Sequence, residues 1–298
     1  MKKLLLFILI LSTVNIFSQV PPSFSIEGHR GARGYIPENT VPSFIKALDQ
    51  GADTLELDVV VSKDNKLVVS HEPYFSSVIS LDPQGRPITT DKQKEHNIYK
   101  MNYSEVKKYD VGSIGNKDFP QQQKMKIHKP LLSEVFKAVR KYEKKNKLKP
   151  SRFNIEIKSN PEGDASYSPL PPAFAKLVYD EIVKHEMEKF VIVQSFDVRP
   201  LQELAKMPVK LPLALLVGNK DGIEENLEKL GFQPDTYSPH FSLVDQATVD
   251  YCKQKALKIV PWTVNEIADL KKMKMFDLDG IITDYPDRAI KVFKSQRF

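Results

Sequence analysis

The chain has 298 residues, of which 41% are hydrophobic, and its formal net charge is +6. This length suits two average domains or one large α/β barrel. The 44 basic and 38 acidic residues form no long basic block, and no aromatic box of the RNA-binding kind is present, so we expect no nucleic-acid partner. Because the chain has a single cysteine, Cys252, an internal disulfide is excluded.

The N-terminal stretch 1–19, MKKLLLFILILSTVNIFSQ, has the layout of a secretory signal peptide. Two lysines precede an apolar run, and a polar segment follows it. The run from Leu4 to Leu11 is too short to span a bilayer comfortably. An uncut N-terminal anchor is the alternative. In both cases we expect export, to the periplasm or as a secreted protein, and no membrane contact beyond this segment.

From residue 24 onward, β-branched runs alternate with amphipathic helical segments. The predicted strands are FSIEGH (24–29), TLELDVVV (54–61), KLVVSH (66–71), RFNIEIK (152–158), KFVIVQSF (189–196), PLALLV (212–217), KIVPWTV (258–264) and GIITD (280–284). The predicted helices include VPSFIKALDQG (41–51), LLSEVFKAVRKYEKK (131–145), PPAFAKLVYDEIVKH (171–185), VDQATVDYCKQKAL (244–257) and NEIADLKKMK (265–274).

Eight strands with crossover helices and no linker predict one TIM-type (β/α)8 barrel domain over residues 24–298. The segment DTYSPHF (235–241) is a candidate ninth strand, which leaves the strand count open. Residues 72–130 are polar and rich in turn-forming residues, and they are too long for an ordinary βα loop. We therefore expect an insertion after the third strand that covers one face of the barrel.

Three carboxylates stand out in the predicted strands. Glu56 and Asp58 alternate with aliphatic residues in TLELDVVV, and Glu156 does so in RFNIEIK. If the aliphatic side faces the helices, these carboxylates point into the barrel, where burying them requires compensation.

The spacing of these carboxylates leaves two compensations open. One is ion pairing with Lys158, Arg30 or Arg33. The other is a hard divalent cation, Mg²⁺ or Ca²⁺, because all three ligands would be oxygens and no cluster of softer donors is evident.

Two histidines lie at the ends of predicted strands beside these carboxylates. His29 ends the first strand and His71 ends the third. A lone histidine at a strand end is usually a satisfied polar residue, but this pair favours acid–base chemistry, because an unperturbed pKa of ~6.5 lets imidazole exchange a proton near neutrality. Arg30 and Lys158 would then be fixed positive charges for an anionic substrate.

These residues lie in motifs that resemble a known family. HRGARGYIPENT, followed by GADTLELDVVVSKDNKLVVSHE, resembles the opening of the glycerophosphodiester phosphodiesterase family, and NIEIK, VIVQSF, VPWTVN and DGIITDYP match later motifs in order. The resemblance covers nearly all of the chain beyond the signal segment. It implies a TIM-type barrel that hydrolyses small glycerophosphodiesters to glycerol 3-phosphate and an alcohol.

The resemblance also implies a role for each matching residue. It implies His29 and His71 as the acid–base pair, Arg30 and Lys158 as phosphate contacts, and Glu56, Asp58 and Glu156 as ligands of Ca²⁺ or Mg²⁺. Trp262 lines the pocket in the family, although a core position is equally open for it here.

Two other functions compete with this one. A lysophospholipase D or a phosphatidylinositol phospholipase C would use the same histidine pair, but residues 72–130 look too polar to meet lipid. A catalytically silent barrel that binds phosphoesters would be marked by a missing histidine or carboxylate. None is missing.

Overall fold

The computed structural model describes residues 24–294, so the predicted signal peptide lies outside the described residues. The strands are β1 Ser25–Gly28, β2 Thr54–Val61, β3 Leu67–Val69, β4 Arg152–Ile157, β5 Val191–Ser195, β6 Leu213–Val217, β7 Thr236–Pro239, β8 Lys258–Ile259 and β9 Gly280–Thr283. The helices are α1 Val41–Asp49, α2 Tyr103–Val106, α3 Leu132–Asn146, α4 Pro171–Lys184, α5 Val198–Leu204, α6 Ile223–Leu230, α7 Gln246–Gln254, α8 Ile267–Met273 and α9 Pro286–Phe293.

Eight of these strands form a nearly closed parallel barrel, in the order β8, β7, β6, β5, β4, β2, β1, β9. The seam between β8 and β9 is bridged by backbone hydrogen bonds. The amide of Asp279 donates to the carbonyl of Ile259 (3.0 Å), and the amide of Ile282 donates to that of Pro261 (2.9 Å). The predicted TIM-type barrel is confirmed.

The strand assignment differs from the prediction at two positions. KLVVSH was predicted as a barrel strand, but its core, β3, pairs antiparallel with the end of β2 and lies outside the barrel. The link 62–66 is too short for the crossover that two parallel strands need, so the chain turns back as a hairpin. The missing barrel strand is β7, which lies in the candidate ninth strand DTYSPHF.

The barrel core follows the predicted alternation. Leu55, Leu57 and Ile155 are fully buried between the strands and the surrounding helices. Parallel strands covered by helices on their outer face bury their aliphatic side in this way. The opposite side chains, including the carboxylates, therefore face the barrel interior.

Residues 72–130 form a second layer above the end of β2. Their apolar side chains join those of the β2–β3 hairpin in a separate hydrophobic cluster, made of Val60, Val68, Phe75, Ile88, Ile98, Tyr103, Val106, Tyr109 and Val111. The same segment is tied to the β1–α1 loop. Gln122 Nε2 donates to the Arg33 carbonyl (2.8 Å), and the Gln123 amide donates to the Tyr35 carbonyl (2.7 Å).

Across residues 24–294, none of the helices combines the length and the apolar composition needed to cross a membrane.

Candidate active site

The carboxyl ends of β1, β2 and β4 bring the predicted carboxylates and cations together. Because β2 and β4 pair in parallel, Asp58 lies directly opposite Glu156. One oxygen from each of Glu56, Asp58 and Glu156 lies within 4.8 Å of the others, and all three residues are buried. The sequence prediction that these side chains point into the barrel is thus matched by their placement.

Glu56 and Glu156 carry charges that the protein compensates only in part. Glu56 accepts hydrogen bonds from the Arg30 amide (2.7 Å) and from Gln194 Nε2 (3.1 Å). Burial raises the pKa of Glu56 well above its usual value, and the neighbouring Asp58 and Glu156 add to the shift. Burial likewise raises the pKa of Glu156, although Lys158 Nζ, 2.7 Å from its Oε1, opposes the shift.

Asp58 remains ionised but has a free oxygen. Asn39 Nδ2 donates to its Oδ2 (2.8 Å), whereas within residues 24–294 no donor bonds Oδ1, which lies 3.7 Å from Lys158 Nζ. Burial raises the pKa of Asp58, but the charges of His71, Arg30 and Lys158 outweigh it and hold the pKa below its usual range. A buried carboxylate oxygen without a hydrogen bond is costly unless something binds it.

The geometry supports both ways of compensating the buried carboxylates that the sequence left open, ion pairing and a bound divalent cation. Lys158 pairs with Glu156 and approaches Asp58, and Arg30 Nε lies 3.5 Å from Asp58. Within the described part of the chain, however, no cationic side chain lies within ion-pair distance of Glu56. The donor set of three buried carboxylates, with one free oxygen, fits a hard divalent cation.

His29 is held in one orientation by Asp284. Its Nδ1 lies 2.7 Å from Asp284 Oδ1, and Asp284 also accepts from Arg33 Nε (2.7 Å) and from Asn265 Nδ2 (2.6 Å). Because a carboxylate only accepts, we infer that Nδ1 carries the proton and that Nε2 has the free lone pair. Burial lowers the pKa of His29 to about 4 although Asp284 opposes the shift, so the ring is neutral near pH 7.

His71 follows the β2–β3 hairpin and not a barrel strand. Its Nδ1 lies 2.7 Å from Glu72 Oε1, and 29% of its side chain is exposed. The hairpin nevertheless brings it to the same cavity as His29. The predicted pairing of the two histidines is thus matched in space, by a different route from the one expected.

Arg30 lies where the chain turns sharply after β1. It has a left-handed backbone conformation (φ 51°), and its guanidinium donates to Glu38 Oε1 (2.8 Å). Burial lowers its pKa, but Glu38, Asp58 and Glu56 outweigh burial and raise it. Glu38 therefore orients Arg30, while the neighbouring Thr40 caps α1.

These side chains surround a cavity of about 240 Å³, which we call the barrel cavity. Trp262 lines its wall, packs edge-to-face on Phe196 with ring centroids 5.2 Å apart, and donates from Nε1 to the Ser238 carbonyl (2.9 Å). The barrel cavity is lined by His29, Arg30, Arg33, Glu56, His71, Glu156, Lys158, Gln194, Phe196, Leu216, Trp262, Thr263 and Ile282.

An adjoining cavity of about 330 Å³ shares Arg30, Arg33 and His71 with the barrel cavity. Its other walls come largely from residues 72–130, so we call it the insertion cavity. A larger hollow of about 820 Å³ at the start of α6 is open surface, lined mainly by exposed acidic residues, and contains none of the residues described above.

Sequence reasoning missed three residues that shape this site. Asn39 and Asp284 lie inside motifs that were singled out, PENT and ITDYP, but their partners are not evident from the sequence. Lys129 lies in the polar segment and carried no signal of its own.

Comparison with known proteins indicates the same family as the sequence motifs. The model of the glycerophosphoryl diester phosphodiesterase family matches residues 29–288. A glycerophosphodiester phosphodiesterase of Caldanaerobacter subterraneus is 30% identical over 269 residues, covering 89% of this chain and 96% of the relative. One from Bacillus subtilis is 28% identical over 275 residues, covering 89% of this chain and 85% of the relative.

Solved structures show the same fold. A Silicibacter pomeroyi crystal structure superimposes with a TM-score of 0.80 at 28% identity, covering 92% of this chain and 94% of that one. An Oleispira antarctica phosphodiesterase, solved with the product sn-glycerol-3-phosphate, has a TM-score of 0.71 at 24% identity, with coverage of 91% and 97%. The chain belongs to the glycerophosphoryl diester phosphodiesterase family.

Proposed function

We propose that this protein is an exported, divalent-metal-dependent phosphodiesterase that hydrolyses small glycerophosphodiesters to glycerol 3-phosphate and an alcohol. The observation that carries the proposal is the barrel cavity, which is lined by two oriented histidines, three cationic side chains and two members of the cluster of three buried carboxylates. Family membership supports it, because the Caldanaerobacter and Bacillus relatives are named as enzymes of this activity.

Glu56, Asp58 and Glu156 would hold the metal, Ca²⁺ or Mg²⁺. When bound, such an ion supplies positive charge for the non-bridging oxygens of a phosphodiester. The oxygen-only donor set supports a hard cation, and the free Asp58 oxygen supports a ligand role for that residue.

The chain's own cations bind the phosphate. Lys158 and Arg30 line the barrel cavity, where they are largely shielded from solvent and fixed by carboxylates. Their charges stabilise the negative charge that builds on the phosphate oxygens during attack, and their fixed orientation avoids a reorganisation cost. Arginine suits this role because its planar fork matches phosphate oxygens.

The two histidines differ in the way that an acid–base pair requires. Desolvation and the nearby charges of Arg33 and Arg30 disfavour the charged form of His29, so its Nε2 is ready to take the proton of the attacking hydroxyl. His71 is more exposed, and its Nδ1 lies 2.7 Å from Glu72 Oε1, so its Nε2 is the ring nitrogen left to face the substrate. We assign His29 as the base and His71 as the acid that protonates the leaving alkoxide.

The decisive experiment measures release of glycerol 3-phosphate from glycerophosphocholine and glycerophosphoglycerol by the protein lacking residues 1–19. We expect EDTA to abolish activity and Ca²⁺ or Mg²⁺ to restore it. His29→Ala should lower kcat at least ~100-fold, the lower end of the range for general acid–base catalysis. Glu56→Gln should also lower activity, because it removes one of the proposed metal ligands. Glu228→Gln, on the exposed face of α6, is the matched control.

Other outcomes point to other functions. Activity that survives exhaustive metal removal would contradict the metal role. Release of lysophosphatidic acid from lysophosphatidylcholine, without hydrolysis of either small diester, would favour a lysophospholipase D. Binding of the diesters without turnover would favour a silent barrel. The intact mass and cell fraction of the native protein test the export part of the proposal.

A further inference from the structure

A buried lysine from the insertion lies at the wall of the insertion cavity. Only 6% of Lys129 is exposed, its Nζ donates to Ser70 Oγ (2.8 Å), and its ammonium lies 5.6 Å from the centre of the Phe75 ring. Lys129 precedes α3, and the function proposed above gives it no role. A buried lysine is uncommon unless it is paired.

Lys129 lacks the partner that a buried cation needs. Across residues 24–294, no carboxylate lies within ion-pair distance of its Nζ, and the Ser70 hydroxyl uses one of three donor positions. Burial lowers the pKa of Lys129 to about 8, although Glu38, Glu72 and Asp58 oppose the shift from farther away. An ammonium with free donors beside a cavity is suited to an oxygen-bearing ligand.

The carboxylates around the insertion cavity do not offset this charge locally. Glu38 is bound by Arg30 and Arg33, and Glu72 is bound by His71. Asp118 is exposed, so water screens it. The buried part of the cavity is therefore positive.

The two cavities together have the shape that a phosphodiester requires. A diester has two organic branches on one phosphate, and the cavities share Arg30, Arg33 and His71. With the phosphate at these shared residues, one branch enters the barrel cavity beside the carboxylates. The other enters the insertion cavity, where His71, the proposed acid, can reach the leaving oxygen.

Resting on the proposed function, we propose that the insertion cavity binds the leaving alcohol and that Lys129 makes it select alcohols with hydroxyl groups. A polyol such as glycerol offers oxygens to the Lys129 ammonium and to the Ser76 and Asn116 side chains that also line the cavity. A quaternary ammonium group offers no oxygen there and is repelled by a buried like charge.

The test compares kcat/KM for glycerophosphoglycerol and glycerophosphocholine, which differ only in the leaving alcohol. We expect the wild type to prefer glycerophosphoglycerol, and Lys129→Met to lower the preference about tenfold, in the range of a hydrogen bond to a charged group. Lys126→Met, an exposed lysine of the same segment, should leave it unchanged. Because both substrates meet the same enzyme sample, partial unfolding of a variant cancels from the ratio.

Each remaining outcome overturns the inference in a recognisable way. A wild type that prefers glycerophosphocholine contradicts the selectivity. If Lys129→Met lowers kcat/KM equally for both substrates, Lys129 only positions His71 through Ser70. If it changes kcat/KM for neither substrate, Lys129 makes no contact with the alcohol. If the wild type hydrolyses neither diester, the proposed function itself fails, and this inference fails with it.

Discussion

At the scale of single residues, Asp284 joins two parts of the site. It is fully buried at the end of β9, and its carboxylate binds both His29 and Arg33. Burial raises its pKa, but these two partners outweigh burial and hold the pKa below the usual range. Asp284 therefore stays ionised, and it fixes the tautomer of His29 from outside the substrate's reach.

We predict that Asp284→Asn lowers kcat by about 10- to 100-fold, as the loss of an orienting partner commonly does. An asparagine amide can donate to Nδ1 of His29, which would move the ring proton to Nε2 and block the proposed base. Steady-state kinetics would show the fall mainly in kcat, since Lys158 and Arg30 still bind the phosphate.

The matched control for this prediction is Asp277→Asn, because the Asp277 side chain is 84% exposed. A rise in KM with an unchanged kcat would mean that Asp284 acts on substrate binding, through Arg33. An unchanged kcat would show that His29 needs no carboxylate to hold its tautomer.

The residues of the site differ in how far the sequence could predict them. Glu56, Asp58 and Glu156 were predictable because strand alternation places them on the inner face without any tertiary information. Asp284 was not, because its partner His29 is 255 positions away in the chain. Lys129 was not, because its burial depends on the path of an irregular segment, which no periodicity reports.

At the scale of elements, the β2–β3 hairpin places His71. Local pattern could not separate this strand from a barrel strand, because KLVVSH is as apolar and β-branched as the true barrel strands. The reverse holds for β7, which is a barrel strand but was predicted only as a candidate, since its sequence TYSP lacks the aliphatic run of its neighbours. The predicted number of eight barrel strands was correct only because KLVVSH was counted as a barrel strand in place of β7.

We predict that Ile98→Ala loosens the insertion and leaves the barrel folded. Ile98 is fully buried in the second hydrophobic cluster, which is separate from the barrel core. A buried isoleucine-to-alanine change commonly costs about 2–5 kcal/mol. Hydrogen exchange should therefore speed up in residues 72–130, while the barrel strands keep their protection.

Activity provides a second measurement of the same change. Because His71 is anchored beside this cluster, we expect kcat to fall as the insertion opens. Met275→Ala, at a side chain that is 82% exposed, is the control. Faster exchange throughout the barrel would contradict the prediction, because it would show that the insertion and the barrel unfold as one unit.

At the scale of the whole molecule, the barrel interior is polar at both ends. Opposite the proposed active site, Glu27 of β1 is buried and accepts a hydrogen bond from Asn154 Nδ2 (2.8 Å). Burial raises the pKa of Glu27, and the hydrogen bond and the charge of Arg152 only partly oppose it. The folded state therefore favours the protonated form of Glu27 over the ionised form.

The sign of the pH effect follows from that shift. An acid whose folded pKa is raised contributes its full stability below its unfolded pKa, 4.5, and loses it as the pH rises through the folded value. Each pKa unit between the two states corresponds to about 1.4 kcal/mol. Near neutral pH, an ionised Glu27 should thus lower the free energy of unfolding of the whole barrel.

We predict that Glu27→Gln raises the melting temperature at pH 8 and has little effect at pH 4. Glutamine keeps an oxygen that can accept from Asn154 Nδ2, so the substitution removes the charge and preserves the hydrogen bond. For a chain of this size, a gain of 1 kcal/mol corresponds to about 2–4 °C. Glu228→Gln should shift neither curve. A melting temperature that falls at pH 8 would contradict the prediction, since it would mean that the charge of Arg152 stabilises ionised Glu27 by more than burial costs.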